Sequence, residues 1–137
     1  MGYYMSQVDA DFFIAKENFP EVIKAIHQMD FDGSWVRVPN GWHQREALTR
    51  SNFRDTTDLE EIFNCWRWEI FFDEDDNVMD ISFRGEKLGD DELLFRAIAP
   101  YVRKGSFIQM NGEGTDQWRW VFNGVSCYEQ HPTVIWD

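Results

Sequence analysis

The stretch WRWEIFFDEDDNVMDISF, residues 66–83, decides the fold. Trp68, Ile70 and Phe72 alternate with Arg67, Glu69 and Phe71. After the acidic run DEDDN, Met79, Ile81 and Phe83 alternate with Asp80 and Ser82. Successive side chains of a strand point to opposite faces, so this pattern predicts a β-hairpin with an apolar inside and a polar outside. Asp73, Asp75 and Asn77 fall at the first, third and fifth positions of a calcium loop. Val78 stands where that loop needs glycine and Arg84 where it needs a bidentate glutamate. The run is therefore read as a solvated hairpin turn, with no metal ligand assigned.

Working outward, helical and strand patterns alternate. Upstream, Leu59, Ile62, Phe63 and Trp66 recur at helical spacing behind Thr57 and Glu60, a capping-box pair. Downstream, Asp90 or Asp91 is placed to cap a helix whose stripe is Leu94, Ala97, Ile98 and Tyr101. SFIQM and QWRWVF read as strands joined by the glycine-rich turn NGEGTD. Trp118, Trp120 and Phe122 share one face of the second. Asn123-Gly124 calls for a type I′ hairpin turn into a further strand, VSCYEQ, and PTVIWD offers a short last one. At the other end, Phe12 and Ile14 alternate with Phe13 and Ala15 in strand fashion. Asn18 with Glu21, and Pro20 in the first turn, then open a helix with the stripe Phe19, Val22, Ile23, Ile26, and His27 at its boundary.

This order predicts one α+β domain over residues 1–137: a mostly antiparallel sheet of five to six strands with two to three helices packed on one face. A chain of 137 residues with 43% apolar side chains can bury a real core without staples. Its net charge of -12 has the wrong sign for general attraction to duplex nucleic acid. It suits a partner with a basic surface. The apolar runs are far too short to span a membrane, and the N-terminus lacks a secretory-signal pattern. Cys65 and Cys127 show no CxxC spacing and read as reduced thiols of a cytoplasmic protein.

WRW occurs twice, at 66–68 and 118–120. The copies sit at inequivalent places in their hairpins, so they are not a repeat. Trp68 and Trp120 each head an apolar face and read as core. Arg67 and Arg119 are then candidates for the outer sheet face, with Glu69 beside one of them. Residues 33–56 have no sustained period. They hold four arginines, Arg37, Arg45, Arg50 and Arg54, against two acids, Glu46 and Asp55. Trp35, Trp42, His43 and Phe53 lie in the same segment. Arginine and tryptophan dominate binding hot spots and suit stacking and cation–π contact. Trp35, Arg37, Trp42, His43, Arg45, Arg50 and Arg54 are therefore the candidate binding residues. The competing account packs these tryptophans on the core and pairs the arginines with the acidic surface. His27, His43 and His131 are scattered, and no nucleophile–base signature appears, so no catalytic residue and no cofactor is assigned.

The runs WEIFFDEDDNVMDISFRGEKL and LFRAIAPYVRKGSFIQMNGEGTDQWRWVF, with the opening GYYMSQVDADFFI, resemble a loose group of small acidic proteins of bacteria and their phages. The resemblance covers mainly the C-terminal two thirds. It implies one compact domain in a bacterial or phage setting and no particular activity. The expectation is a protein-binding or regulatory module. The alternative is a small-ligand or nucleotide binder, or an enzyme, using residues 33–56 as a pocket wall. A homo-oligomer burying its exposed aromatics is the third arrangement.

Overall fold

A computed structural model describes residues 3–29, 52–133 and 135–136, and the backbone at 35–38, 41–44 and 51. The strands are β1 (Ser6–Asp11), β2 (Trp35–Val38), β3 (Gly41–Gln44), β4 (Trp68–Phe72), β5 (Val78–Phe83), β6 (Phe107–Asn111), β7 (Gln117–Phe122) and β8 (Cys127–Gln130). The helices are α1 (Phe19–His27), α2 (Leu59–Cys65) and α3 (Asp91–Ile98). All strand pairing is antiparallel, in the order β1-β6-β7-β8, with β2-β3 and β4-β5 as separate ladders. The chain is α+β and mostly antiparallel, as the alternation of patterns predicts.

The expected five- to six-stranded sheet is split by a seam. β5 runs antiparallel to the opening segment, with backbone bridges Ile14↔Val78 at one end and Tyr4↔Lys87 at the other. Between these ends the Gln7 side chain takes the place of a backbone. Its Nε2 donates to Ile81 O at 3.0 Å, and its Oε1 accepts from Phe83 N at 2.7 Å. A bulge between Gln7 and Asp9 re-aims β1 toward β6 at this level.

The core follows from the two apolar periodicities. Val22 and Ile26 of α1, Ile62 and Phe63 of α2, and Leu94, Phe95 and Ile98 of α3 are fully buried. They meet the inward face of the strands: Trp68, Ile70, Ile108, Trp120 and Phe122. The two WRW segments converge here. Trp68 and Trp120 stand edge-to-face with centroids 6.2 Å apart, and the Phe95 ring lies 5.1 and 5.0 Å from them. Each such aromatic pair adds about 0.5–1.5 kcal/mol beyond the area it buries.

Local details differ from the sequence reading for identifiable reasons. Met79 is 51% exposed and Val78 takes its core position. The ladder pairs Phe71 with Asp80 but Phe72 with Val78, so Met79 is the extra residue of a bulge, which reverses the facing. Asn18 makes no side-chain cap, because a 3-10 turn over Lys16–Asn18 runs straight into α1 and leaves it in a helical conformation. Asp58, not Thr57, caps α2. Its extended backbone lets its carboxylate accept from Glu60 N and Glu61 N, and the Thr56 hydroxyl donates to Glu61 at 2.7 Å.

The Asn123-Gly124 turn is not type I′, since only Gly124 has positive φ. The register leaves residues 123–126 as a longer loop, tied by Asn123 Oδ1 accepting from Val125 N and Ser126 N. No strand follows β8 among the described residues, and Trp136 is 90% exposed. The DEDDN run is a turn, as expected. Asp73 accepts from the Asn77 side chain, from Asn77 N and from Asp75 N, and these bonds hold its carboxyl below the usual range.

Candidate functional site: a polar groove on the open sheet face

The helices cover one face of the four-stranded sheet. Side chains of the opposite face remain accessible, and the strand register sorts them into rows. Asp9, Gln109, Arg119 and Gln130 stand side by side across β1, β6, β7 and β8. Asp11, Phe107, Val121 and Tyr128 form the next row, with Tyr128 45% exposed.

The first row opens into a groove of about 340 Å³ at the β8 edge. Its origin is local. Gln130 is the last ladder residue of β8, and the register would set His131 against Trp118 and then Pro132 against Gln117. Proline has no N–H to give to a ladder, so pairing ends and residues 131–133 leave the sheet. The groove lies between that segment and the side chains of Gln109, Gln117, Arg119 and Gln130.

Arg119 is held in a defined pose. Its Nε donates to Gln109 Oε1 at 2.9 Å, and its guanidinium carbon lies 5.0 Å from the Phe107 ring centroid. Its two terminal nitrogens have no acceptor among the described residues. The side chains of Gln117, Gln130 and Thr133 likewise make no hydrogen bond with a described residue. His131 faces Glu129, with Nε2 2.7 Å from Oε2.

Trp35, Arg37, Trp42 and His43 lie in the β2-β3 ladder, where the backbone pairs Arg37 with Trp42 and Val36 with His43. Arg45 and Arg50 lie outside the described residues. Arg54 serves the end of α1: its Nε donates to His27 O at 3.1 Å and its Nη2 to Met29 O at 2.6 Å. His27 O is one of the carbonyls that a helix C-terminus leaves unpaired, and Met29 follows the C-cap residue. Phe53 is fully buried against Trp66, so this part of the segment packs on the core.

Arg67 and Arg119 are not brought together. Arg67 has a left-handed backbone (φ 70°) and turns inward, where its Nη2 meets the buried Asp91 at 2.9 Å. Glu69 pairs instead with Arg84, whose Nε donates to it at 2.7 Å. Arg119 is a candidate from sequence; its glutamine neighbours are not. Their signal was present in the alternation of FIQMN and QWRWVF, but the row exists only once the strand order is known.

Cys65 and Cys127 are separate, buried thiols. Burial pushes the Cys127 thiol up to about 12, which keeps it protonated and unreactive at neutral pH. Among the described residues no group of three or more His, Cys, Asp or Glu side chains is placed to hold a metal ion. None of the described helices is long and apolar enough to cross a membrane. Comparison with protein-family models, curated proteins and solved structures gave no match.

Proposed function

We propose that the chain is a protein-binding module of bacterial or phage origin that regulates its partner by contact through the open sheet face. One observation carries the reading. The register sets a polar row centred on Arg119 beside a row in which Phe107, Val121 and Tyr128 follow Asp11, on a face that stays accessible. An oriented arginine and an exposed tyrosine on adjacent rows of one face are residue types that commonly anchor an interface. The net charge of -12 favours a partner with a basic surface around the contact, since complementary fields speed encounter and disfavour wrong partners. Two buried, unbridged thiols suit a reducing cytoplasm.

The test is affinity capture from a bacterial lysate with the wild-type chain and with Arg119→Glu/Tyr128→Ala. Asp75→Asn in the distant hairpin turn is the control. A protein captured by the wild type and the control should be lost from the double variant. An identical set of captured proteins with all three chains would remove the open face from consideration. A second reading, a small-ligand binder, draws on the groove of about 340 Å³, a volume within the range of ligand sites. It is favoured if no protein is captured and a metabolite raises the melting temperature, as binding to the folded state requires.

A further inference from the structure

The groove is lined by Arg119, whose guanidinium commits one of its five N–H donors to a described residue. We infer that it receives a carboxylate, specifically the C-terminal carboxylate of a partner polypeptide. The inference rests on the reading of this face as the binding surface, and it names what the face recognises.

The guanidinium geometry is the first argument. Arginine offers a planar fork of donors that matches the two oxygens of a carboxylate. In Arg119 the Nε bond to Gln109 and the stacking on Phe107 fix the plane of that fork. The two terminal nitrogens are left without an acceptor among the described residues. A pre-oriented donor loses less conformational freedom on binding than a mobile one.

Charge selects among anions. Arg119 is the one permanent cation among the described residues that line the groove, with Asp9 next but one in its row and Glu129 on the neighbouring segment. His131 is already engaged by Glu129. In a chain of net charge -12, a monoanion is tolerated here far better than a phosphate dianion.

The glutamines select the rest of the ligand. Gln117 and Gln130 flank Arg119 along β7 and across to β8, and each carries an amide that can both donate and accept. That is the complement of a peptide backbone. A chain end supplies peptide groups and a carboxylate together, and it enters a groove open at a sheet edge without having to loop back.

The test is an NMR titration of ¹⁵N-labelled protein with N-acetyl-Ala-Ala-Ala as the free acid, with the same tripeptide as its amide, and with acetate. The acid should shift the Arg119 Nε–H and the side-chain amides of Gln117 and Gln130. It should bind at least about tenfold more tightly than either the amide or acetate, a difference of one decade in dissociation constant. Arg119→Gln should abolish the preference for acid over amide. Arg119→Lys, which keeps the charge but not the fork, should retain only part of it. Equal affinity for acid and amide overturns the carboxylate. Equal affinity for acetate and the tripeptide acid overturns the polypeptide. The capture experiment separates this inference from its parent. A partner still held by Arg119→Gln but lost on Tyr128→Ala removes the carboxylate and leaves the binding face. A partner held by both variants removes the face itself.

Discussion

Asp91 has no exposed surface, yet it carries a carboxylate, and its surroundings explain how. Trp68 Nε1 donates to it at 2.8 Å, Gly89 N at 2.9 Å and Arg67 Nη2 at 2.9 Å. Arg67 in turn donates to Lys87 O at 2.5 Å. The pair ties the start of β4 to the start of α3. It also holds Arg67 in a left-handed backbone conformation that costs about 1–2 kcal/mol for a residue with a Cβ. Gly85 has to be glycine here, because a Cβ would stand 2.6 Å from Arg67 Nη1. Removing one partner of a buried pair strands the other charge. Asp91→Ala should therefore lower unfolding free energy by about 3–5 kcal/mol in a urea titration. The double variant Arg67→Met/Asp91→Leu should recover a large part of that loss. If the double variant is as unstable as Asp91→Ala, packing and not charge compensation is what Asp91 provides. Each residue escapes the sequence pattern for its own reason. A cap and a buried acid look alike at a helix start, and alternation carries no warning of the positive φ that ends it at Arg67.

At the scale of elements, helix and strand identity was legible because apolar spacing is long-range enough to survive local surprises. What was not legible were single-residue insertions and side chains acting as backbone. The bulge at Met79 breaks an alternation that looks clean on paper. Gln7 sits in a polar run, SQVDAD, and nothing in that run shows its amide closing the seam between β1 and β5. Losing it would leave Phe83 N and Ile81 O short of a partner in a partly buried place, at a cost of about 1–3 kcal/mol. Gln7→Ala should therefore speed hydrogen exchange at the Phe83 amide by more than about tenfold, in keeping with that cost. The Ile14 and Val78 amides donate to each other's carbonyls at 3.0 Å and should keep their protection. Uniform acceleration of all three would mean that the variant loosens the whole sheet and that the seam is not a separate unit.

At the scale of the molecule, the candidate site is a product of strand pairing. Gln109, Arg119 and Gln130 come from three strands, and Pro132 frees the segment that walls the groove, so the row forms only once the register of those strands is set. Residues 33–56 stand out in the sequence instead, because Trp and Arg densities are visible without topology. Net charge is the whole-molecule property that sequence does give in full, and it acts on stability and binding with opposite sign. Twenty-five acids against thirteen bases repel one another in the folded state. The Debye length falls from about 30 Å at 0.01 M salt to about 8 Å at 0.15 M, so added salt screens that repulsion. Relief of about 1 kcal/mol would raise the melting temperature by roughly 3–5 °C. Scanning fluorimetry across this sodium chloride range should show that rise. Capture of a basic partner should weaken over the same range, because the same screening removes the attraction that steers it. A falling melting temperature would show that attractive pairs such as Arg67–Asp91 and Arg84–Glu69 outweigh the repulsion, and that the acidic surface is compensated within the chain and not held open for a partner.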